Sequence, residues 1–265
     1  MGRNKLAKFA DMETYPNVYQ YPYHTLMSGG CPLQGCWNEK AFSNSNPLVL
    51  ELGCGRGEYA VALGKKNPGR NYIGIDIKGS RMWTGATLAL EDRLDNVAFL
   101  RAEIENIDKL FAPDEVDELW LTFSDPQMKR ASKRMTSTFF LERYRRFLKD
   151  GGTINVKTDS NFLFTYTYHV VKENKLPLLA CSTDIYADSG LLPEVTGIQT
   201  YYESQWIARG IRIKFISFAL PHAGTLREPD VEIPLDTYRS YNRQKRSSLE
   251  TSKAEFNLQM QQNSD

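Results

Sequence analysis

Between Leu48 and Leu220 the chain alternates short apolar runs with longer segments of helical spacing, and each change of period marks a change of element. LVLELG, starting at Leu48, is a continuous apolar run of strand length, as expected of a strand buried on both faces. From Gly57 to Lys66 the apolar positions take helical spacing, and Asn67, Pro68 and Gly69 stop the helix. NYIGID is the next strand, followed by the helix GSRMWTGATLALEDR and the strand VAFLR. VDELWLTF, the helix TSTFFLERYRRFLKD, the strand GTINVKT and the helix NFLFTYTYHVVKEN repeat the alternation, and LPLLACSTDIY and IRIKFISFAL add two closing strands. The pattern predicts one α/β domain over residues 48–224, a mainly parallel seven-stranded sheet with helices on both faces. Residues 1–47, as in YPNVYQYPYHTLMSGGCP, hold no period and predict an irregular arm packed on, or ordered by, something else. The stretch 225–265 predicts a polar tail, extended or weakly helical.

Composition adds limits. The chain has 265 residues, 41% hydrophobic and 25% charged, enough apolar content to bury a full core. No apolar run approaches the roughly 20 residues that span a bilayer. MGRNKLAKFADMETYP lacks the apolar centre of a secretory signal, so the expectation is a cytoplasmic protein with no membrane partner. Cys31, Cys36, Cys54 and Cys181 are too scattered for a disulfide framework, and Cys31, Cys36 and His24 lack a fourth ligand, so no metal is expected. The net charge is only +1, so a polyanion must be held by a local patch. Lys129, Arg130, Lys133, Arg134, Arg143, Arg145, Arg146 and Lys149 supply one against the single acid Glu142, although a solvated helix face would read the same way.

The carboxyl ends of the strands are where an open α/β sheet binds its ligand. Glu51 to Glu58 read ELGCGRGE, in which Gly53, Gly55 and Gly57 let the backbone pass close beneath a nucleoside. Asp76 closes the next strand about 20 residues later, where a carboxylate can take both ribose hydroxyls. Ile77 follows it, and Glu103 and Ile104 stand at the third strand end, beside the expected adenine. Glu58 at the start of the helix would repel a diphosphate. The candidate cofactor is therefore S-adenosylmethionine, whose cationic sulfonium and amino groups suit acidic walls. At the fourth strand end Asp125 precedes Pro126 and the basic run, either as a turn initiator or as a carboxylate that handles a base. Thr200 and Glu203 have the spacing of a helix capping box.

From about Leu48 to Leu220 the chain resembles the tRNA (guanine-N7)-methyltransferases of the class I S-adenosylmethionine fold. The likeness rests on ELGCGRGE, YIGIDI, FSDPQMKRASKR, FLERYRRFLKDGGTINVKTD, and TYYE followed by IRIKF. It implies a Rossmann-like sheet with an antiparallel last strand, and methyl transfer to N7 of a tRNA guanosine, position 46 of the variable loop. It implies that Asp125 is the catalytic-site carboxylate and that Lys129, Arg130, Lys133 and Arg134 hold RNA. Thr158 and Asp159 would line the target pocket, with Thr200 and Glu203 closing it. The chain departs from the family pattern at Ser124, usually Pro, and at Gln127, often Trp or His, while Lys133 and Arg134 sit one position early. Two other readings stay open: a methyltransferase for a small molecule or an amine, and an RNA-binding protein that has lost turnover. Either a monomer or a homodimer is expected, with no obligatory partner subunit.

Overall fold

In the computed structural model, which describes residues 5–237, the arm contributes regular structure before the domain begins. Helix α1 (Lys5–Thr14) leads into strand β1 (Val18–Gln20) and helix α2 (Tyr23–Gly29), and a π-helical turn covers Asn38–Phe42. The alternating part follows as β2 (Leu48–Leu52), α3 (Glu58–Lys66), β3 (Asn71–Asp76), α4 (Gly79–Glu91), β4 (Val97–Arg101) and β5 (Val116–Thr122). Then come α5 (Thr138–Tyr144), β6 (Leu148–Thr158), α6 (Asn161–Glu173), β7 (Leu178–Ser182), α7 (Pro193–Thr196), α8 (Tyr201–Ile207) and β8 (Lys214–Leu220).

The strands form one sheet in the order β1-β4-β3-β2-β5-β6-β8-β7. The ladders from β1 to β6 are parallel, while β8 runs antiparallel between β6 and β7. All five residues of β2 are buried, which accounts for its unbroken apolar run. Val49, Tyr72, Phe99, Trp120 and Phe215 share one face with Tyr59, Ala60 and Leu63 of α3 and Met82, Ala86 and Ala89 of α4. Helix α6 packs on β6 and β8. From β2 the chain builds outward through β3 and β4, and from β5 in the opposite direction. The order therefore reverses between β2 and β5, which is where such a sheet opens a crevice. Among the described residues no helix is long and apolar enough to cross a membrane.

Two expectations need correction. The sheet has eight strands, because β1 adds to the edge beside β4, its Tyr19 opposite Leu100. The arm read as irregular holds two helices, a π-helical turn and this strand, and Trp37 anchors it: fully buried, its Nε1 donates to the Leu110 carbonyl at 2.8 Å and its ring stacks on Phe111. The sequence pattern missed these elements because β1 is three half-buried residues, too short to show alternation, while α1 buries only Met12 and α2 only Leu26. At the other end one compact unit runs up to Val231 and a second begins at Glu232. Residues 225–231, expected in the tail, thus belong with the first: Glu228 accepts from the Thr138 backbone N–H at 2.9 Å and from the Tyr166 hydroxyl at 2.5 Å. Of the expected tail, residues 238–265 lie outside the described residues.

Candidate functional site

Strands β2, β5 and β6 are parallel neighbours, so their carboxyl ends meet at one edge of the sheet. At the end of β2, Gly53, Gly55 and Gly57 take φ of 78°, 56° and 71°, angles that side-chain-bearing residues adopt only with strain. A Cβ on Gly57 would also lie 2.3 Å from the Phe99 ring. The loop is tied to β3: Gly53 and Cys54 donate backbone N–H groups to the Ile75 carbonyl at 2.8 and 3.0 Å. Asp76 accepts from the Gly55 N–H at 3.0 Å with one oxygen and from the Lys78 N–H at 2.8 Å with the other. The expected ribose-binding carboxylate therefore also fixes the glycine loop.

Glu51 is buried at the centre of this edge. Its carboxylate accepts from the Thr122 hydroxyl at 2.6 Å and the Ala60 N–H at 2.9 Å, joining β2 to β5 and to α3. Burial pushes its pKa up to about 7 against the help of those two donors, and the nearby Asp76 and Glu58 push in the same direction. Ile77 is 44% exposed beside Asp76. Ile104 and Glu103 are half-buried, and Glu103 accepts from Asn106 Nδ2 at 3.1 Å. Of the residues expected to hold a nucleoside, Asp76 bonds the glycine loop, Ile77 follows Asp76, and Glu103 and Ile104 follow the end of the neighbouring strand β4, a set of carboxylate and aliphatic groups suited to a ligand both apolar and cationic. At Gly55 nothing lies within 4 Å of where a Cβ would stand, so the backbone there is open to its close approach.

At the end of β5 the backbone is strained on both sides of Asp125. Phe123 has φ 53° and Gln127 φ 45°, conformations that are held only where the surroundings dictate them. Asp125 itself is exposed and accepts from the Gln127 N–H at 2.9 Å, which fixes its rotamer. Phe123 is held by its N–H donating to the Lys157 carbonyl at 2.8 Å. Lys129 and Arg130 are exposed just beyond. Arg134, expected to hold RNA, is instead 8% exposed: its guanidinium lies 4.7 Å from the Phe162 ring and 4.4 Å from the Tyr166 ring. Its Nε and Nη2 donate to the Gln127 and Met128 carbonyls at 3.2 and 3.0 Å, so this arginine props the Asp125 loop from beneath.

The remaining bases divide in the same way. Lys133 pairs with Glu105 at 3.2 Å across exposed surface. Arg143 and Arg146 both pair with Asp108, Arg145 donates to the carbonyls of Pro221, Ala223 and Gly224, and Lys149 pairs with Asp117. What looked like one basic run is a set of ion pairs, ring contacts and carbonyl bonds, with Lys129 and Arg130 at its exposed head.

At the end of β6 Thr158 and Asp159 are buried, and the Thr158 hydroxyl accepts from the Ser160 N–H at 3.0 Å. Lys157, one residue earlier, is fully buried, and the sequence reading missed it. Its ammonium lies 2.8 Å from the Glu203 carboxylate and donates to the Val195 and Ile198 carbonyls at 2.8 and 2.7 Å. Burial lowers the Lys157 pKa, while Glu203 opposes that shift. Glu203 also accepts from the Tyr186 hydroxyl at 2.7 Å and closes a capping box with Thr200. Thr158, Asp159, Thr200 and Glu203, expected to line and close the target pocket, are thus all buried. A lone lysine within an apolar strand, INVKT, was the available signal for Lys157. Among the described residues no group of three or more His, Cys, Asp or Glu side chains could hold a metal ion.

Residues 45–216 match a family model described as "Putative methyltransferase". A tRNA (guanine-N(7)-)-methyltransferase of Bacteroides fragilis is 58% identical over 253 residues, covering 96% of this chain and all of the relative. The enzyme of the same name from Porphyromonas gingivalis is 53% identical, covering 89% of this chain and 98% of its own. Among solved structures, the 16S rRNA methyltransferase KamB superposes with a TM-score of 0.53 at 19% identity, over 69% of this chain and 92% of its own, a likeness of fold. With identity this high along nearly its whole length, the chain belongs to the tRNA (guanine-N7)-methyltransferase family.

Proposed function

We propose that this chain transfers the methyl group of S-adenosylmethionine to N7 of a guanosine in tRNA, at position 46 of the variable loop, in the cytoplasm and without an obligatory partner subunit. The observation that carries the reading is Asp125, exposed at the point where the strand order reverses, between a glycine loop and the Thr158–Asp159 turn, with Lys129 and Arg130 beside it. The 58% identity to an enzyme named for this reaction supports it.

Glu51, the Gly53–Gly57 loop, Asp76, Ile77, Glu103 and Ile104 would hold the donor. When bound, S-adenosylmethionine supplies a methyl carbon made electrophilic by its sulfonium. Guanine N7 carries an unprotonated in-plane lone pair, so the protein needs no general base. Its task is alignment and electrostatics. Asp125 accepts from the guanine N1–H and exocyclic amine, which orients the ring and favours the positive charge that develops on the purine. Lys129 and Arg130 hold the surrounding phosphates, which position the RNA without reading its sequence. Thr158, Asp159, Thr200 and Glu203 set the shape of the pocket.

The experiment is product analysis: the purified chain alone, labelled donor and an unmodified tRNA transcript, with the labelled nucleoside identified after digestion. N7-methylguanosine at position 46 is expected. Label on another atom, or activity that survives removal of RNA, would overturn the reading.

A further inference from the structure

Beside the capping box, Tyr201 and Tyr202 are 48% and 42% exposed. Their rings meet edge to face, 6.0 Å between centroids. One side of the Tyr201 ring is covered by the guanidinium of Arg56, 4.7 Å from its centroid, and Arg56 belongs to the glycine loop at the end of β2. The rings stand on fixed backbone. The Tyr201 N–H donates to Glu58 at 3.1 Å, and the Thr200–Glu203 box and the buried Lys157 ammonium hold the turn behind it. A surface that invests this much fixed geometry in two half-exposed aromatic rings and a cation suits a flat, anionic ligand.

We propose that Arg56, Tyr201 and Tyr202 form a stacking platform for the nucleotide next to the target guanosine in tRNA. The proposal rests on the tRNA reading above and adds contacts outside the target pocket. A guanosine drawn out of its stack leaves a neighbouring base with an uncovered face, and proteins that read single-stranded RNA cover such faces with aromatic rings and arginine planes. Arg56 adds charge for the phosphate of the same nucleotide. With Lys129 and Arg130 it places cations on the ends of two neighbouring strands, β2 and β5, on either side of the crevice.

The test uses the full chain and an unmodified tRNA transcript, with Tyr201→Ala, Tyr202→Ala and their phenylalanine counterparts. The alanine variants are expected to raise the KM for tRNA roughly tenfold, the order that loss of one stacked base produces. The phenylalanine variants keep the ring and stay within about twofold of the parent. Donor affinity and the melting temperature are expected to hold throughout. An unchanged tRNA KM in the alanine variants, with N7-methylguanosine still formed, would overturn the platform and leave the tRNA reading standing. Loss of donor affinity would also overturn it, placing the rings at the donor instead. If the parent chain forms no N7-methylguanosine, the tRNA reading fails and the platform fails with it. Should the alanine variants unfold, photocrosslinking of the parent chain to tRNA decides: an adduct on the peptide carrying Tyr201 and Tyr202 supports the platform, and its absence overturns it.

Discussion

Glu51 shows how one buried side chain can carry both structure and titration. Its pKa, raised by burial to about 7, lies above the ordinary carboxylate value of 4.5. Between those two values the folded chain holds a proton that the unfolded chain has released, so stability falls as pH rises through the window, by about 3 kcal/mol in all. Glu51→Gln keeps an acceptor for the Ala60 N–H and turns the Thr122 bond around, its amide N–H donating to the hydroxyl oxygen, and its unfolding free energy is expected to be flat over the same range apart from other groups. Denaturant titrations at pH 5 and pH 8 measure it, and an unaltered pH slope in the variant would assign the effect elsewhere. Arg134 gives a second residue-scale contrast. Losing its two ring contacts and two carbonyl bonds is expected to cost about 2 kcal/mol of stability. Changing Lys129 and Arg130 together to alanine is expected to leave stability within about 0.5 kcal/mol, while lowering the salt slope of tRNA binding by about 1 to 2.

At the scale of elements, the turn before α8 depends on a pair of charges that water never reaches. Removing one partner leaves the other unpaired, so Lys157→Met is expected to destabilise by about 3 to 5 kcal/mol, with Lys157→Met plus Glu203→Leu recovering much of it. A double variant no more stable than the single one would contradict that pairing. The same elements show what could be read from sequence. The glycine loop, Asp76 and the capping box were legible because each is a local pattern with a local geometric reason, and the structure places each on its expected strand end or helix start. Arg134 was not legible, since in sequence it is one base among several, and only Phe162 and Tyr166 of the later helix decide that it is buried. Strand β1 stayed hidden for a related reason: its pairing with β4 is tertiary and its three residues carry no period of their own.

The whole molecule is organised by one reversal of strand order. It brings the glycine loop after β2, Asp125 after β5 and the Thr158–Asp159 turn after β6 to a single edge, although they are distant in sequence. The compact unit closes only with residues 225–231, where Glu228 bonds Thr138 and Tyr166 and Arg227 bonds Asn174. A chain ended after Val231 is therefore expected to keep the melting temperature of its first unit, and one ended after Gly224 to melt several degrees lower. Equal melting of the two would contradict that role. The central claim is that Asp125 serves the base and not the donor. Asp125→Asn, assayed for kcat/KM on tRNA and for donor affinity by calorimetry, tests it most directly. The account predicts a loss of about a hundredfold or more in kcat/KM with donor affinity unchanged within about twofold. A variant that methylates tRNA normally, or one that fails to bind the donor, would contradict it.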